Sequence, residues 1–174
     1  MIETARLLLR PWRDADRAPF AAMGADAQVM AHFPALLSRA ESDAGVDRQM
    51  ALQTELGHCF WALERRDTAE FIGFCGLIPV RFACPVEGEI EIGWRLAREH
   101  WGQGLAREAA QASLDWGFAS GITRIVSFTV PGNRRSWGLM ERLGLRRRAD
   151  LDFDHPRIAA GSPLRRHIVY EALR

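Results

Sequence analysis

A strand that runs through a glycine-bearing turn directly into a helix is the feature that most constrains this chain. The segment Glu87–Leu96 contains a period of two, which predicts a strand. The following turn carries Gly102 and Gly104 and leads into a helix predicted over Gly104–Ser120. Glycine lets the backbone approach a ligand closely, and a helix N-terminus presents unpaired N–H groups to anions. The pattern therefore predicts an anion site built from backbone atoms.

The type of basic residue in the chain limits how that site can bind an anion. All 23 basic side chains are arginine, and the chain contains no lysine. P-loop NTPases, protein kinases and pyridoxal-phosphate enzymes each depend on a lysine, so these classes are excluded. Phosphate must be bound by arginine or by backbone N–H groups. The formal charge of +1 indicates that nucleic acid is not a partner.

Metal and membrane signals are also weak in this sequence. Cys59, Cys75 and Cys84 match no zinc-binding spacing, so we expect no metal. The N-terminus shows no basic start followed by an apolar run, and no apolar stretch approaches the roughly 18 residues of a membrane span. We therefore expect a cytoplasmic protein with no membrane partner.

The rest of the chain alternates strand and helix patterns. Ser38-x-x-Glu41 forms a capping box that opens a helix running to about Leu56. Arg148–Phe153 and His167–Ala172 are predicted as a last pair of strands. Repeats and linkers are not evident. The sequence therefore predicts a single α+β domain over residues 1–174 with a central mixed sheet.

A second motif lies one strand beyond the glycine turn. Asn133-x-x-Ser136 precedes a short amphipathic helix that ends at Gly144. Asn133 can be explained as a helix cap or as part of a binding site. The glycine turn itself is not a dinucleotide-binding fingerprint, because Arg107 stands where a third glycine would be needed.

The order of these parts resembles the GNAT superfamily of acyl-CoA-dependent N-acetyltransferases, and within it the RimJ/RimL-like branch. The resemblance is carried by Glu91–Trp94, by Trp101–Ala109, and by Asn133-x-x-Ser136 with Glu141–Leu145. It implies an α+β fold of the three-layer type, with a central mixed, mostly antiparallel sheet flanked by helices. It also implies acetyl transfer from acetyl-CoA, as co-substrate, to a primary amine in a ternary complex.

The resemblance further implies which residues hold the co-substrate. Trp101 stands where the superfamily usually has arginine or glutamine. This departure removes one possible side-chain contact but leaves the backbone cradle, the N–H groups of residues 103–106 that would hold the CoA pyrophosphate. The pantetheine arm would lie along the strand edge, and Asn133 would sit beside the thioester. The implied CoA-binding residues are Trp94, Arg95, Leu96, Gln103, Gly104, Leu105, Ala106 and Asn133.

Acetyl transfer to an amine requires proton movement, since an amine with a pKa near 10 is mostly protonated at neutral pH. Glu91 and Glu89, predicted on one strand face, are the candidate bases, acting directly or through water. Many relatives protonate the leaving thiolate with a tyrosine, but Met140 occupies that position here. Ser136 is then the candidate acid, with helix capping as its competing interpretation.

The acceptor is not specified by the sequence. His32 and His155 lie in loops that could wall the acceptor pocket. A protein N-terminus and a small-molecule amine both remain open as acceptors, as does a homodimer. Two alternatives stay open as well: a CoA-binding sensor or pseudoenzyme without turnover, and a nucleotide-binding module that uses the same glycine turn.

Overall fold

Strands and short helices alternate along the whole chain, and the computed structural model describes residues 1–174. Among the helices, none offers the run of apolar residues that a bilayer crossing requires. The strands are β1 (Ile2–Glu3), β2 (Leu7–Arg10), β3 (Phe60–Arg65), β4 (Phe71–Pro79), β5 (Ile90–Leu96), β6 (Arg124–Thr129), β7 (Arg146–Arg147), β8 (Phe153–Asp154) and β9 (Arg166–Leu173). The helices are α1 (Arg17–Gly24), α2 (Arg39–Leu56), α3 (Leu105–Ala119) and α4 (Arg134–Arg142).

The strands form one sheet in the order β1-β2-β3-β4-β5-β6-β9-β7, with β8 beside β9. Every pairing is antiparallel except that of β5 with β6. A parallel pair needs a long crossover, and α3 supplies it. The mixed, mostly antiparallel sheet predicted from the sequence is confirmed.

Helices pack on both faces of this sheet. Phe74 and Leu77 of β4 project from opposite faces because they are an odd number of residues apart. Phe74 packs against Phe20 of α1, with ring centroids 6.1 Å apart. On the other face Leu77 packs against Gly117 of α3, where an added Cβ would lie 2.7 Å from the Leu77 Cδ1 atom. Glycine therefore sets how closely α3 approaches the sheet.

The parallel pair β5–β6 is short. Its register comprises Ile90 with Ile125 and Glu91 with Val126. The last hydrogen bond between the two strands involves a side chain. The Ser127 hydroxyl donates to the Ile92 carbonyl over 2.9 Å. Both strands continue beyond this point without pairing to each other. The sheet therefore opens between them.

The predicted start and end of α2 are confirmed. Ser38 accepts a hydrogen bond from the Glu41 N–H, and the Glu41 carboxylate accepts one from the Ser38 N–H. Gly57 ends the helix in the left-handed conformation, with φ of 76°. Local capping chemistry is therefore sufficient to fix this element.

The predicted strand Arg148–Phe153 is wrong. A 3-10 helix at Ala149–Leu151 separates β7 from β8. The Asp152 carboxylate accepts the Val169 N–H of β9 over 3.1 Å. Because a side chain takes over this ladder bond, the backbone is free to turn here.

Candidate active site

A cavity of about 1350 Å³ lies where β5 and β6 separate. Its walls also include the starts of α3 and α4 and parts of the loops before α2 and before β9. Most residues predicted for the site meet here. The predicted residues that line it are His32, Glu91, Trp94, Arg95, Leu96, Gly104, Leu105, Ala106, Asn133, Ser136 and His155.

The glycine turn gives the cavity a cluster of free backbone donors. Gly102 and Gly104 have φ of 75° and 77°, the left-handed region that favours glycine. Gly104 is the N-cap of α3, and no side chain caps this helix. The first N–H groups of α3 are therefore unpaired at the positive end of the helix dipole. Leu105 and Ala106, which carry two of these groups, line the cavity.

Gln103 lies differently from its neighbours in the turn. It is exposed and does not line the cavity. Its carbonyl accepts a hydrogen bond from Arg6 Nη1 over 2.9 Å, and its side-chain amide donates to the Glu99 carbonyl over 2.9 Å. These bonds hold the turn in shape, so Gln103 contributes support from outside.

Trp101 occupies the position where the sequence departs from the usual pyrophosphate loop. Its indole N–H donates to the Leu96 carbonyl over 2.8 Å, at the end of β5. The Arg135 guanidinium lies 4.7 Å from the indole ring centroid. The tryptophan therefore fixes the turn against the strand and brings a cation to the cavity rim.

The two candidate bases have different surroundings. Glu91 lines the cavity, and burial raises its pKa to about 8. Glu89 precedes β5, lies outside the cavity lining, and accepts a hydrogen bond from Arg124 over 2.8 Å. Arg124 also binds Glu171 of β9 over 2.8 Å. The structure therefore brings Glu91 into the site and leaves Glu89 in an ion pair that joins β6 and β9 to the start of β5.

Asn133 and Ser136 sit at the start of α4. The Asn133 side-chain oxygen accepts the Ser136 N–H over 3.3 Å, so Asn133 is the helix cap. Its amide donates to the Thr129 hydroxyl over 3.1 Å, which ties α4 to the end of β6. The cap is made by the Asn133 side chain and the Ser136 backbone. The Ser136 hydroxyl is therefore not needed for capping.

Tyrosine is absent from the cavity lining. Met140, at the position where many relatives have this residue, is 1% exposed in the core. Tyr170 of β9 donates its hydroxyl hydrogen to the Glu141 carboxylate over 3.1 Å. The sole tyrosine of the chain is thus engaged elsewhere.

Histidines from separate loops and strands reach the cavity. His32 lies next to Gly132, in the turn before α4. His155 packs against His167 of β9, with ring centroids 5.1 Å apart. Burial lowers the pKa of both imidazoles, so both are neutral at neutral pH. His167 was missed by sequence reasoning because its position in a strand gives no signal of its own.

Arg95 is the other residue whose role the sequence left incomplete. The resemblance assigned only its backbone, at the strand edge. Its side chain also lines the cavity, with the guanidinium carbon 4.0 Å from the Phe33 ring centroid. Strand alternation could have found it, since residues 91, 93 and 95 share one face.

Comparison with known proteins gives a consistent assignment. The family model of the acetyltransferase (GNAT) domain matches residues 6–146. The uncharacterized protein YkkB of Bacillus subtilis is 33% identical over 146 residues, which cover 82% of this chain and 83% of YkkB.

Solved structures share the fold over nearly the whole chain. An acetyltransferase from Agrobacterium tumefaciens is 27% identical with a TM-score of 0.79, covering 99% of this chain and 94% of that one. RimL, a ribosomal L7/L12 alpha-N-protein acetyltransferase in complex with coenzyme A, is 16% identical with a TM-score of 0.77, covering 98% and 95%. The chain belongs to the GNAT acetyltransferase family.

Proposed function

We propose that this protein transfers an acetyl group from acetyl-CoA to a primary amine by direct attack in a ternary complex. The observation that carries the proposal is one cavity that joins three features. These are the uncapped start of α3, the unpaired part of β5 and the half-buried carboxylate of Glu91. The sheet that contains β5 is built from strands between residue 2 and residue 173, which supports a single catalytic domain.

The cavity fits the chemistry of coenzyme A. The pyrophosphate would accept hydrogen bonds from the N–H groups of Gly104, Leu105 and Ala106. The pantetheine amides would pair with the backbone of Trp94–Leu96, as an added strand does. Gly104 and Gly102 keep the turn in a shape that other residues rarely adopt. RimL, which shares this fold, is described as a complex with coenzyme A.

Glu91 would act as the base. The neutral amine attacks the thioester carbonyl carbon, a C–N bond forms, and the C–S bond breaks. The proton lost from nitrogen passes to Glu91 directly or through water. A base with a pKa of about 8 is well matched to this task, because efficiency is greatest when the pKa lies near the working pH.

The leaving thiolate would take its proton from Ser136 or from water. The Ser136 side chain lies in the cavity wall, while no tyrosine does. No cysteine lines the cavity either, and burial raises the pKa of Cys59 and Cys75 to about 12. Both thiols are therefore poor nucleophiles, which supports direct attack over a covalent acyl-enzyme.

The acceptor would be a small-molecule amine or a protein N-terminus, and the RimJ/RimL-like branch is part of this proposal. The test is release of free thiol from acetyl-CoA in the presence of a panel of amines. We expect amine-dependent release together with a rise in Tm on adding CoA, because a ligand of the native state stabilises it. No rise in Tm at millimolar CoA would contradict the proposal.

The alternative is a CoA-binding sensor without turnover. The observation that favours it is Met140 in the place of the usual acid. It predicts a CoA-dependent rise in Tm with no thiol release from any amine. Release above the rate of acetyl-CoA hydrolysis would exclude it.

A further inference from the structure

Arg95 places a guanidinium on the same face of β5 as Glu91. Residues 91, 93 and 95 project to one side of the strand, and both Glu91 and Arg95 line the cavity. The guanidinium carbon lies 4.0 Å from the Phe33 ring centroid and 5.4 Å from that of Phe74. The two rings flank the cation and hold it on this face.

No protein carboxylate balances this charge. The Arg95 Nε atom is buried and has no hydrogen-bond partner. Burial lowers its pKa to about 10, so the group still carries a full charge at neutral pH. Glu91 is the sole carboxylate in the cavity lining, which holds six arginines.

An unpaired buried charge is unfavourable. A cation–π contact returns only part of the free energy that desolvation of a cation costs. Arginine in such a position binds carboxylate or phosphate well, since its planar fork matches both groups. An anionic group on a bound ligand would neutralise the charge of the Arg95 guanidinium.

Coenzyme A itself does not place a charge at this point in the proposed complex. Its pyrophosphate belongs at the glycine turn, and its pantetheine arm is uncharged. Arg95 instead shares a strand face with the proposed base. The anion therefore fits best as part of the second substrate.

We propose that Arg95 selects an amine acceptor that also carries an acidic group, a carboxylate or a phosphate. The inference rests on the proposed function and names its substrate class. Four residues of strand separate the Cα atoms of Glu91 and Arg95 by roughly 13 Å. Both side chains project from one strand face and line the same cavity, so one small molecule can present its amine to Glu91 and its anion to Arg95.

The test compares acceptors that differ only in the anion. Straight-chain ω-amino acids from glycine to 6-aminohexanoate, and phosphoethanolamine, are set against alkylamines and diamines of equal length. A charge-assisted hydrogen bond corresponds to a factor of about ten to one hundred. We expect kcat/KM to favour the best acidic amine over its alkylamine by about that factor. The carboxylate and phosphate arms show which anion is preferred.

The Arg95→Met variant should lose this preference while its Kd for CoA stays unchanged. Arg95→Lys, which keeps the charge, should retain part of it. Arg98→Met is the matched control, because Arg98 is more than half exposed and lies outside the cavity lining. A rise in Tm on adding CoA also shows that each variant is folded.

Three outcomes would overturn the inference. The wild-type protein could prefer alkylamines or diamines. CoA affinity could fall in Arg95→Met, which would assign the arginine to the co-substrate. The CoA-saturated wild-type protein could neither acetylate the acidic amines nor gain Tm from them. Failure of the wild-type protein to bind CoA would instead contradict the proposed function.

Discussion

The Arg6 guanidinium binds the Glu108 carboxylate over 2.7 Å, across 102 residues of sequence. Glu108 lies in the first turn of α3, and its carboxylate also accepts the Thr4 hydroxyl over 2.6 Å and the Arg6 N–H over 2.8 Å. Burial raises the pKa of Glu108, but the hydrogen bonds from Thr4 and Arg6 outweigh it, so the pKa lies below its ordinary value. The Nη1 atom of Arg6 donates a hydrogen bond to the Gln103 carbonyl. The turn between β1 and β2 therefore braces both the glycine turn and the helix that follows it.

Replacing Arg6 should weaken CoA binding without touching the cavity. Arg6→Met removes the brace and a positive charge, and we expect Kd for CoA to rise about threefold to tenfold. Arg6→Lys keeps the charge but cannot bridge two acceptors as a guanidinium does, so its Kd should be intermediate. Isothermal titration measures both. A Kd unchanged in Arg6→Met would show that the turn needs no brace.

A bulky residue at Gly104 should abolish CoA binding. Valine there must adopt the left-handed conformation, which costs roughly 1–2 kcal/mol, so the turn would change shape and its N–H groups would no longer point together. Gly57→Val is the matched control, since Gly57 has φ of 76° and open space around it at the far end of α2. Both variants should lose Tm, and only Gly104→Val should lose CoA binding. Equal affinity in the two would refute the backbone cradle.

Glu91→Gln should change the pH dependence of activity. In the wild-type protein both Glu91, with a pKa of about 8, and the amine must lose a proton. We expect log kcat/KM to rise with a slope of about two below pH 8 and about one above it, as two groups and then one titrate. In Glu91→Gln the slope should be about one throughout, with a rate lower by a factor of about one hundred or more. An unchanged profile would exclude Glu91 as the base.

The same substitution should stabilise the fold at alkaline pH. The pKa of Glu91 is raised to about 8 in the folded protein, above the value of about 4.3 expected in the unfolded chain. The folded state therefore keeps a proton that the unfolded state releases, and stability is lost as pH rises from about 4 to 8. Glutamine does not titrate, so Tm of the variant should match the wild type near pH 4 and exceed it near pH 8. Thermal denaturation at the two pH values measures the difference, and an equal Tm of the two proteins at pH 8 would contradict the raised pKa of Glu91.

Ser136→Ala should lower turnover while leaving CoA affinity intact. The hydroxyl is not part of the α4 cap, which uses the Ser136 backbone. If it protonates the thiolate, kcat should fall about tenfold to a hundredfold. Tyr170→Phe serves as the control, because its hydroxyl is bound to Glu141 outside the cavity lining. A kcat unchanged in Ser136→Ala would leave water as the proton donor.

Features set by nearby residues were well predicted from the sequence. The Ser38–Glu41 box and Gly57 fix α2 by local hydrogen bonds. The glycines of the turn require a left-handed backbone, which a sequence motif expresses directly. The wrong strand at Arg148–Phe153 has a distant cause, since Asp152 bonds to β9 across 17 residues.

In the candidate site, too, local features could be predicted from the sequence and pairings between distant residues could not. Alternation along β5 placed Glu91 and Glu89 on one face, yet it could not show that Glu89 would meet Arg124, 35 residues later. The charge of Arg95 was visible in the sequence, but its lack of a carboxylate partner depends on every element packed around it. Burial and pairing are properties of the fold, so one sequence does not reveal which charges remain unbalanced.

The early end of the β5–β6 pairing has a consequence for solubility as well as for chemistry. Unpaired strand edges usually invite other strands to add to them, which promotes aggregation. Here the unpaired stretch beyond Ile92 lies in the middle of the sheet and at the wall of a cavity. Another chain that adds to the outer edges of the sheet does not reach this inner stretch. The protein thereby keeps an unpaired strand edge inside the sheet without presenting it to other copies of the chain.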